Sequence, residues 1–115
     1  MGRNRMGMVT ERFDVILVKL DPTLGSEIQK TRPCLVISPN EMNLNLATVI
    51  VAPMTTSGKQ YPSRIPVCFD GRDGFIALDQ IRSVSKTRFV KKLGTIAPDE
   101  QKAVLGGLLE MFADE

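Results

Sequence analysis

The stretch GSEIQKTRPCLVISP, residues 25–39, joins a polar loop to an apolar strand, and the rest of the chain is arranged around it. Charges of both signs share this one loop and are carried by Glu27, Lys30 and Arg32. Pro33 biases Arg32 toward an extended backbone, and the apolar residues that follow predict a buried strand over 34–38. Charged groups at the mouth of a rigid strand are typical of functional sites, although a solvated loop before a core strand has the same pattern.

Length and composition indicate one domain and exclude several kinds of active site. A chain of 115 residues, 43% of them hydrophobic, has the material for a single core. The net charge of +2 does not by itself identify a nucleic-acid-binding protein, but local clusters of charge could still serve one. The sequence has no histidine, which removes the usual acid–base residue, the usual metal ligand and the usual triad.

The two cysteines and the N-terminal segment indicate a cytoplasmic protein. Cys34 and Cys68 lie in apolar, strand-like runs and are predicted to be reduced and buried, with a disulfide between them as the alternative. No apolar run reaches the roughly 18 residues of a membrane helix. Residues 1–11 are basic but lack an apolar signal-peptide core. They are predicted to be a disordered leader in front of a single domain over 12–115.

Hydrophobic patterning predicts a mainly β (α+β) chain. Short runs of β-branched and apolar residues predict strands over 13–20, 34–38, 46–52, 64–69, 75–78 and 90–96. Polar, Pro- and Gly-containing segments predict loops over 39–45, 53–62 and 70–74, with a brief helical turn over 85–88. This order favours a small, strongly curved antiparallel sheet or barrel of five to seven strands, packed against a C-terminal helix.

The C-terminal helix is predicted to begin at Pro98. Pro suits the first helical position, and the acidic Asp99 and Glu100 that follow suit the helix dipole. One apolar face, interpreted as core or dimer interface, is formed by Val104, Leu105, Leu108, Met111 and Phe112. Gly106 and Gly107 each cost about 1 kcal/mol of helix stability relative to Ala, which is compatible with close packing against the sheet or a partner.

A hairpin between the second and third predicted strands brings several polar groups together. Pairing Ser38 with Ala47 would place Arg32 opposite Pro53. Two hydroxyls would then lie just past the same end of the sheet as the charged loop, those of Thr55 and Thr56. One rim would thus hold a carboxylate, two cations and two hydroxyls.

These groups suit a phosphodiester. Arginine offers a planar fork of donors that matches phosphate oxygens, and a threonine hydroxyl can donate to the same group. A glutamate such as Glu27 is ionised at neutral pH and can accept a proton. RNA carries its own nucleophile in the 2′-hydroxyl, so a site without histidine or metal would act by positioning and charge stabilisation.

The motifs of this chain resemble those of the MazF/PemK toxins of toxin–antitoxin systems. The resemblance covers residues 13–112 and its motifs occur in the family's order. They are DPT at 21–23, GSE at 25–27, RP at 32–33, VISP at 36–39, PMTT at 53–56, DQIRS at 79–83 and GTIAP at 94–98.

The resemblance implies a sequence-specific endoribonuclease that cuts single-stranded RNA without a metal and leaves 2′,3′-cyclic phosphate and 5′-hydroxyl ends. It implies an SH3-like barrel with a C-terminal helix, a homodimer, and an acidic antitoxin that covers the RNA groove and links the pair to DNA. The family's catalytic arginine falls on Arg32, its catalytic threonine or serine on Thr55, and a glutamate used by some members on Glu27.

Two positions depart from the family pattern. Many members begin the first strand with Arg-Gly-Asp, where this chain has Arg12-Phe13-Asp14. Some members have His or Gly before the catalytic arginine, where this chain has Thr31, a change expected to affect base preference or rate.

Further polar residues are candidates for RNA binding. They are Lys30, Thr31, Thr56, Ser57, Lys59, Tyr61, Asp79, Gln80, Arg82, Lys86 and Arg88. The loop that carries Lys59 and Tyr61 could read bases, because single-stranded RNA is recognised by stacking and edge contacts. Several candidates have structural alternatives: Thr55 and Thr56 can each close a turn, Asp79 and Gln80 can stabilise the barrel, and the basic run after Ile81 can be a solvated face.

Two non-enzymatic functions remain as alternatives. A gyrase poison of the CcdB type shares this fold, but that activity depends on a C-terminal Trp-Gly-Ile, and this chain has no tryptophan. An SH3-like peptide-binding module usually displays exposed aromatic residues, and this chain has one tyrosine and five phenylalanines.

Overall fold

Seven strands and two helices account for most of the residues that this computed structural model describes, which are 9–20 and 30–115. The strands are β1 (Asp14–Lys19), β2 (Thr31–Val36), β3 (Thr48–Thr55), β4 (Arg64–Phe69), β5 (Arg72–Ala77), β6 (Arg82–Ser85) and β7 (Phe89–Thr95). The helices are α1 (Asn40–Asn45) and α2 (Pro98–Met111), and two short 3₁₀ turns cover Leu78–Gln80 and Lys86–Arg88. Neither helix is long and apolar enough to cross a membrane.

Strand β3 holds the sheet together because it has partners along both edges. It pairs with β2 on one side; on the other it pairs first with β6 and then, through Met54 and Thr55, with β5. The strand order is β4-β5-β3-β2-β1-β7, with β6 off this path beside β3, and every pairing is antiparallel. The result is the expected curved sheet with a C-terminal helix.

The sheet curls until its two ends meet. Strands β4 and β7 are the first and last in the strand order, yet the Phe69 ring of β4 lies directly over Gly94 of β7. A Cβ atom built on Gly94 would lie 3.3 Å from Phe69 Cζ, and the φ of Gly94 is +150°. Glycine therefore provides both the space and the backbone conformation for this closure.

Two apolar clusters form because side chains alternate between the faces of each strand. Val15, Leu35 and Ala52 belong to the cluster that packs against α2 through Val104. Their sequence neighbours Ile16 and Cys34 belong to the second cluster, on the other face of the curled sheet. Both faces of the central strands are therefore buried.

The structure accounts for the departure from Arg-Gly-Asp at the first strand. Phe13 has φ +76°, a conformation that glycine adopts at little cost and a residue with a Cβ does not. The Phe13 side chain packs against the first apolar cluster, so its burial offsets the strained backbone.

Several predicted boundaries are wrong. The segment predicted as a loop over 39–45 contains α1, because the buried Asn43 side chain donates to the Ser38 carbonyl (2.9 Å) and fixes a helical turn. Strand β2 begins at Thr31, and β3 continues through Pro53 to Thr55. Pro53 lies where β3 has left β6 and not yet joined β5, the kind of irregular position that tolerates proline.

The remaining differences concern the second half of the chain. Strand β6 was not predicted, and β5 begins at Arg72 because the turn before it is only two residues long. The helical turn near 85–88 and the helix starting at Pro98 are confirmed. Leu108 packs against the core, but Met111 and Phe112 are exposed.

The cysteine prediction is half right. Cys34 and Cys68 are both free thiols, but only Cys34 is buried. Burial raises the pKa of Cys34 to about 12. Cys68 points outward from the edge strand β4, and the neighbouring Asp73 carboxylate raises the pKa of its thiol.

The two glycines of α2 have different surroundings, which gives a matched test of the packing. A Cβ on Gly106 would meet no heavy atom within 4 Å, whereas a Cβ on the buried Gly107 would lie 2.8 Å from Leu78 Cδ1 and 3.0 Å from Ile65 Cδ1. We expect Gly106→Ala to raise the free energy of unfolding by about 1 kcal/mol. We expect Gly107→Ala to lower it by about 1 kcal/mol or more, since overpacking outweighs the helix gain. Urea unfolding measures both, and equal shifts would contradict the described packing.

Candidate active site

The observed strand register brings Arg32 and Thr55 together. Cys34 lies opposite Pro53 and Val36 opposite Val51, so the predicted pairing of Ser38 with Ala47 is wrong by two residues. Continuing the observed register toward the start of β2 places Arg32 beside Thr55 instead of Pro53. Adjacent strands are about 4.8 Å apart, so these two residues are cross-strand neighbours.

The other edge of β3 adds a third residue to this row. Thr55 pairs with Phe75 of β5, so Arg32, Thr55 and Phe75 succeed one another across three strands. The approach of β5 is unusually close, because a Cβ on Gly74 would lie 2.6 Å from the Thr55 carbonyl oxygen. Glycine at this position thus allows β5 to approach Thr55 this closely.

A pocket of about 310 Å³ opens at this row. Its polar rim is formed by Arg32, Thr55, Thr56, Asp70, Arg72 and Asp73. Its apolar lining is formed by Pro33, Met54, Val67, Phe69, Phe75 and Leu93. The pocket therefore combines a cation and a hydroxyl on one side with an aromatic wall on the other.

The Thr55 hydroxyl is held in place by the turn that follows β3. The Ser57 backbone N–H donates to Thr55 Oγ1 (3.2 Å), and the Ser57 hydroxyl and carbonyl oxygens each lie 3.3 Å away. Thr55 is only 8% exposed, whereas Thr56 is exposed. Thr55 therefore makes the hydrogen bonds of this turn, which is the structural role that the sequence allows for either threonine.

Only part of the predicted site is gathered at the pocket. Arg32, Thr55 and Thr56 line it, and Glu27 lies outside the described residues. Ser57 does not line the pocket but contacts Thr55. The pocket lining also does not include Lys30, Thr31, Lys59 and Tyr61. Of these, Tyr61 is 56% exposed.

Asp79 is bound to another part of the barrel. Its carboxylate accepts from Arg64 Nε (2.6 Å), from Arg64 Nη2 (3.0 Å) and from the Ser63 hydroxyl (3.2 Å). The pKa of Asp79 is lowered chiefly by the hydrogen bond from Arg64, and the same bond raises the pKa of Arg64. Asp79 thus ties the 3₁₀ turn after β5 to the start of β4. Its neighbour Gln80 is half-buried in that turn.

The basic candidates of the second half lie away from the pocket lining. Arg82 Nη1 donates to the Leu20 carbonyl (3.4 Å), and Arg88 Nη1 donates to the Lys19 carbonyl (3.3 Å). The Lys86 ammonium donates to a carbonyl of α1. These cations therefore lie near the end of β1 and near α1. Burial raises the pKa of the Cys34 thiol, and the positive charges of Arg82 and Arg32 partly oppose this shift.

The aromatic wall of the pocket, formed by Phe69, Phe75 and Leu93, was not predicted from the sequence. Residues 70–74 were predicted to be one loop, but only Asp70 and Gly71 form the turn, with φ of +53° and +77°. Positive φ at both central residues is typical of a two-residue type I′ hairpin, for which Asp-Gly is a strong signal. That signal sets the register of Phe69 opposite Arg72 and would have revealed the wall.

Comparison with known proteins gives consistent matches along nearly the whole chain. The family described as "PemK-like, MazF-like toxin of type II toxin-antitoxin system" matches residues 11–112. The "Endoribonuclease toxin MazF" of Escherichia coli K12 is 36% identical over 97 residues, which are 84% of this chain and 87% of that protein.

Solved structures show the same fold. MazF from Deinococcus radiodurans has a TM-score of 0.80 at 25% identity and covers 90% of this chain and 96% of its own. A mycobacterial endoribonuclease in complex with its cognate antitoxin has a TM-score of 0.77 at 19% identity, covering 92% of this chain and 99% of its own.

The Arg64–Asp79 pair predicts a pH-dependent contribution to stability. The pKa of Asp79 is lower in the folded protein than the value of about 3.9 expected for the unfolded chain. The ion pair therefore contributes fully to the free energy of unfolding above about pH 3.9, and this contribution is lost as the pH falls through the folded-state pKa. We expect Asp79→Asn to lower the free energy of unfolding at pH 7 by about 1 kcal/mol or less, since the pair is partly exposed. The difference from wild type should shrink toward about pH 2–3. Urea unfolding at both pH values measures it, with Asp114→Asn as the control. A difference that is the same at both pH values would contradict this role.

Proposed function

The chain belongs to the family of PemK-like and MazF-like toxins and is an endoribonuclease of a toxin–antitoxin system, and we propose that Arg32 and Thr55 form its reaction centre. The supporting observation is that these two residues share one pocket and are neighbours by the register of β2 and β3. Residues from separate parts of the sequence thus present a guanidinium and a hydroxyl to the same space. The matched relative is named an endoribonuclease, which favours this function over a gyrase poison or a peptide-binding module.

The proposed reaction is a transesterification within single-stranded RNA. The 2′-oxygen attacks the adjacent phosphorus, a 2′-O–P bond forms, and the P–O5′ bond breaks. The 2′-hydroxyl proton passes to a base, for which Glu27 is the candidate from the sequence, and the departing 5′-oxygen takes up a proton. The products are a 2′,3′-cyclic phosphate and a 5′-hydroxyl end. Because the nucleophile belongs to the substrate, this chemistry requires no metal.

Arg32 and Thr55 would stabilise the charge that develops on the phosphate. The guanidinium can donate two parallel hydrogen bonds to the non-bridging oxygens and stays charged at any working pH. The Thr55 oxygen accepts from the Ser57 N–H and its hydroxyl donates to the Ser57 carbonyl (3.3 Å), and the hydroxyl hydrogen can rotate from that carbonyl to a phosphate oxygen. Groups positioned before the substrate arrives need little reorganisation during the reaction.

The remaining candidates would bind the RNA strand on either side of this centre. Their polar or charged side chains would contact the backbone or bases, and the exposed Tyr61 could stack on a base. They are Lys30, Thr31, Thr56, Ser57, Lys59, Tyr61, Asp79, Gln80, Arg82, Lys86 and Arg88. We assign Asp79 the weakest role, because its carboxylate is already occupied by Arg64 and Ser63.

We propose two protein partners and a cytoplasmic location, where the RNA substrate is found. An antitoxin is supported by the structurally similar endoribonuclease solved with its cognate antitoxin. A second copy of the chain would cover apolar side chains that α2 leaves exposed, Leu109 (74%) and Phe112 (71%). Sedimentation of the isolated chain should give the mass of a dimer, and a monomer at every micromolar concentration would contradict this proposal.

Substitution of Arg32 tests the reaction centre directly. We expect Arg32→Ala to lower kcat for cleavage of a long single-stranded RNA in EDTA by about 10²–10³-fold, the usual cost of removing a charge-stabilising donor. Arg32→Lys should lose less, because it keeps the charge but not the planar fork. Thr55→Ser should retain more activity than Thr55→Val, which has no hydroxyl.

The controls separate loss of chemistry from loss of structure. Lys102→Ala, on the outer side of α2, should cleave like wild type, and all variants should keep the wild-type circular dichroism spectrum. Mapping of the cut ends should show 5′-hydroxyl groups. Full activity in folded Arg32→Ala would refute the assignment of the reaction centre.

A further inference from the structure

We propose that the aromatic wall of the pocket is a subsite for one nucleobase of the RNA, and that Arg72 and Asp73 read the edge of that base. The aromatic wall is the part of the pocket lining formed by Phe69, Phe75 and Leu93, and Arg72 and Asp73 lie at its rim. This inference rests on the proposed function, because a phosphate held by Arg32 and Thr55 is what brings a neighbouring base to this wall.

The surface of the wall suits a flat, uncharged ring. Phe75 is directly beside Thr55 in the sheet, and its ring and that of Phe69 line the same pocket together with Met54, Val67 and Leu93. A phosphate gains nothing from an apolar floor, whereas an unstacked base can lie against an aromatic side chain. The pocket volume of about 310 Å³ leaves room for a single base.

The charges at the rim divide the pocket between phosphate and base. Arg32 carries a positive charge on the β2 side, while on the hairpin side the two carboxylates of Asp70 and Asp73 outnumber the one guanidinium of Arg72. These carboxylates repel a phosphate, so the phosphate is directed to Arg32 and the base to the wall. The charge pattern thus fits one nucleotide in one orientation.

The same rim groups predict which bases are accepted. Ionised carboxylates only accept hydrogen bonds, and Arg72 only donates. Adenine, cytosine and guanine each offer an exocyclic amino group to Asp73 and a ring nitrogen or carbonyl to Arg72. Uracil has a single ring donor, N3–H, which lies between two carbonyl oxygens, so a carboxylate that accepts from this donor also faces a carbonyl oxygen. We infer that this subsite discriminates against uracil.

The hairpin that carries the aromatic wall has a rigid backbone, which discrimination between bases requires. Strands β4 and β5 pair along their full length, from Arg64 opposite Ala77 to Phe69 opposite Arg72, and are joined by the two-residue turn. The Phe69 ring is fixed from behind by Gly94 of β7. The backbone that carries Arg72 and Asp73 is therefore fixed before a base binds, so binding does not have to order this hairpin.

The test is cleavage of an RNA pool with randomised sequence, followed by sequencing of the cut ends. Wild type should cut poorly, by roughly tenfold, where uracil occupies one particular position beside the cleaved bond. Asp73→Asn should relax that discrimination at this position alone, because an amide can donate to a uracil carbonyl. Arg72→Gln is the second variant and should change the preference at the same position.

Two more variants complete the experiment. Phe75→Leu keeps the apolar bulk but removes the aromatic face and should lower kcat/KM by about tenfold without moving the cut sites. Asp99→Asn, a carboxylate on α2 outside the pocket, should leave the base preference as in wild type. Thermal unfolding confirms that each variant is folded.

The outcomes distinguish this inference from the proposed reaction centre. If Arg32→Ala is inactive but folded Asp73→Asn and Arg72→Gln keep the wild-type preference at every position, the subsite is refuted and the reaction centre stands. A uniform loss of rate at all sequences in Asp73→Asn and Arg72→Gln would also refute it, since these two residues would then have only a structural role. If Arg32→Ala remains active, the reaction centre itself is refuted.

Discussion

The site depends on the pairing of β3 with β2 along one edge and with β5 along the other. That double pairing fixes Arg32, Thr55 and Phe75 in one row across three strands, although they are far apart in the sequence. Because side chains alternate, a slip of one residue in either pairing would move a member of the row to the opposite face. Gly74 tightens the arrangement, since any larger residue would collide with the Thr55 carbonyl.

The curl of the sheet then converts this row into a pocket. Phe69 reaches across to Gly94 and brings the two ends of the sheet together, while α2 packs against the first apolar cluster with Gly107 in contact with the sheet. Met54 and Val67 belong both to the first apolar cluster and to the pocket lining, so the floor of the pocket continues the core. The proposed reaction centre thus borders an apolar surface.

Local sequence patterns predicted most of the fold but not its register. The apolar runs located six of the seven described strands, and Pro98 marked the start of α2, because these signals act within a few residues. The helix at Asn43 and the passage of β3 through Pro53 were missed because a buried side-chain hydrogen bond and a change of strand partner override local preference. Arg32 and Thr55 were identified through the family resemblance, whereas the aromatic wall depends on the Asp70-Gly71 turn, whose geometry was not deduced.

The most direct measurement is a crystal structure of the chain with a short RNA that carries 2′-deoxyribose at the cleaved position and therefore cannot react. We expect the scissile phosphate to lie within hydrogen-bond distance of both the Arg32 guanidinium and Thr55 Oγ1, with an adjacent base against Phe75. A phosphate bound instead among Arg82, Lys86 and Arg88, with the pocket empty of RNA, would contradict it.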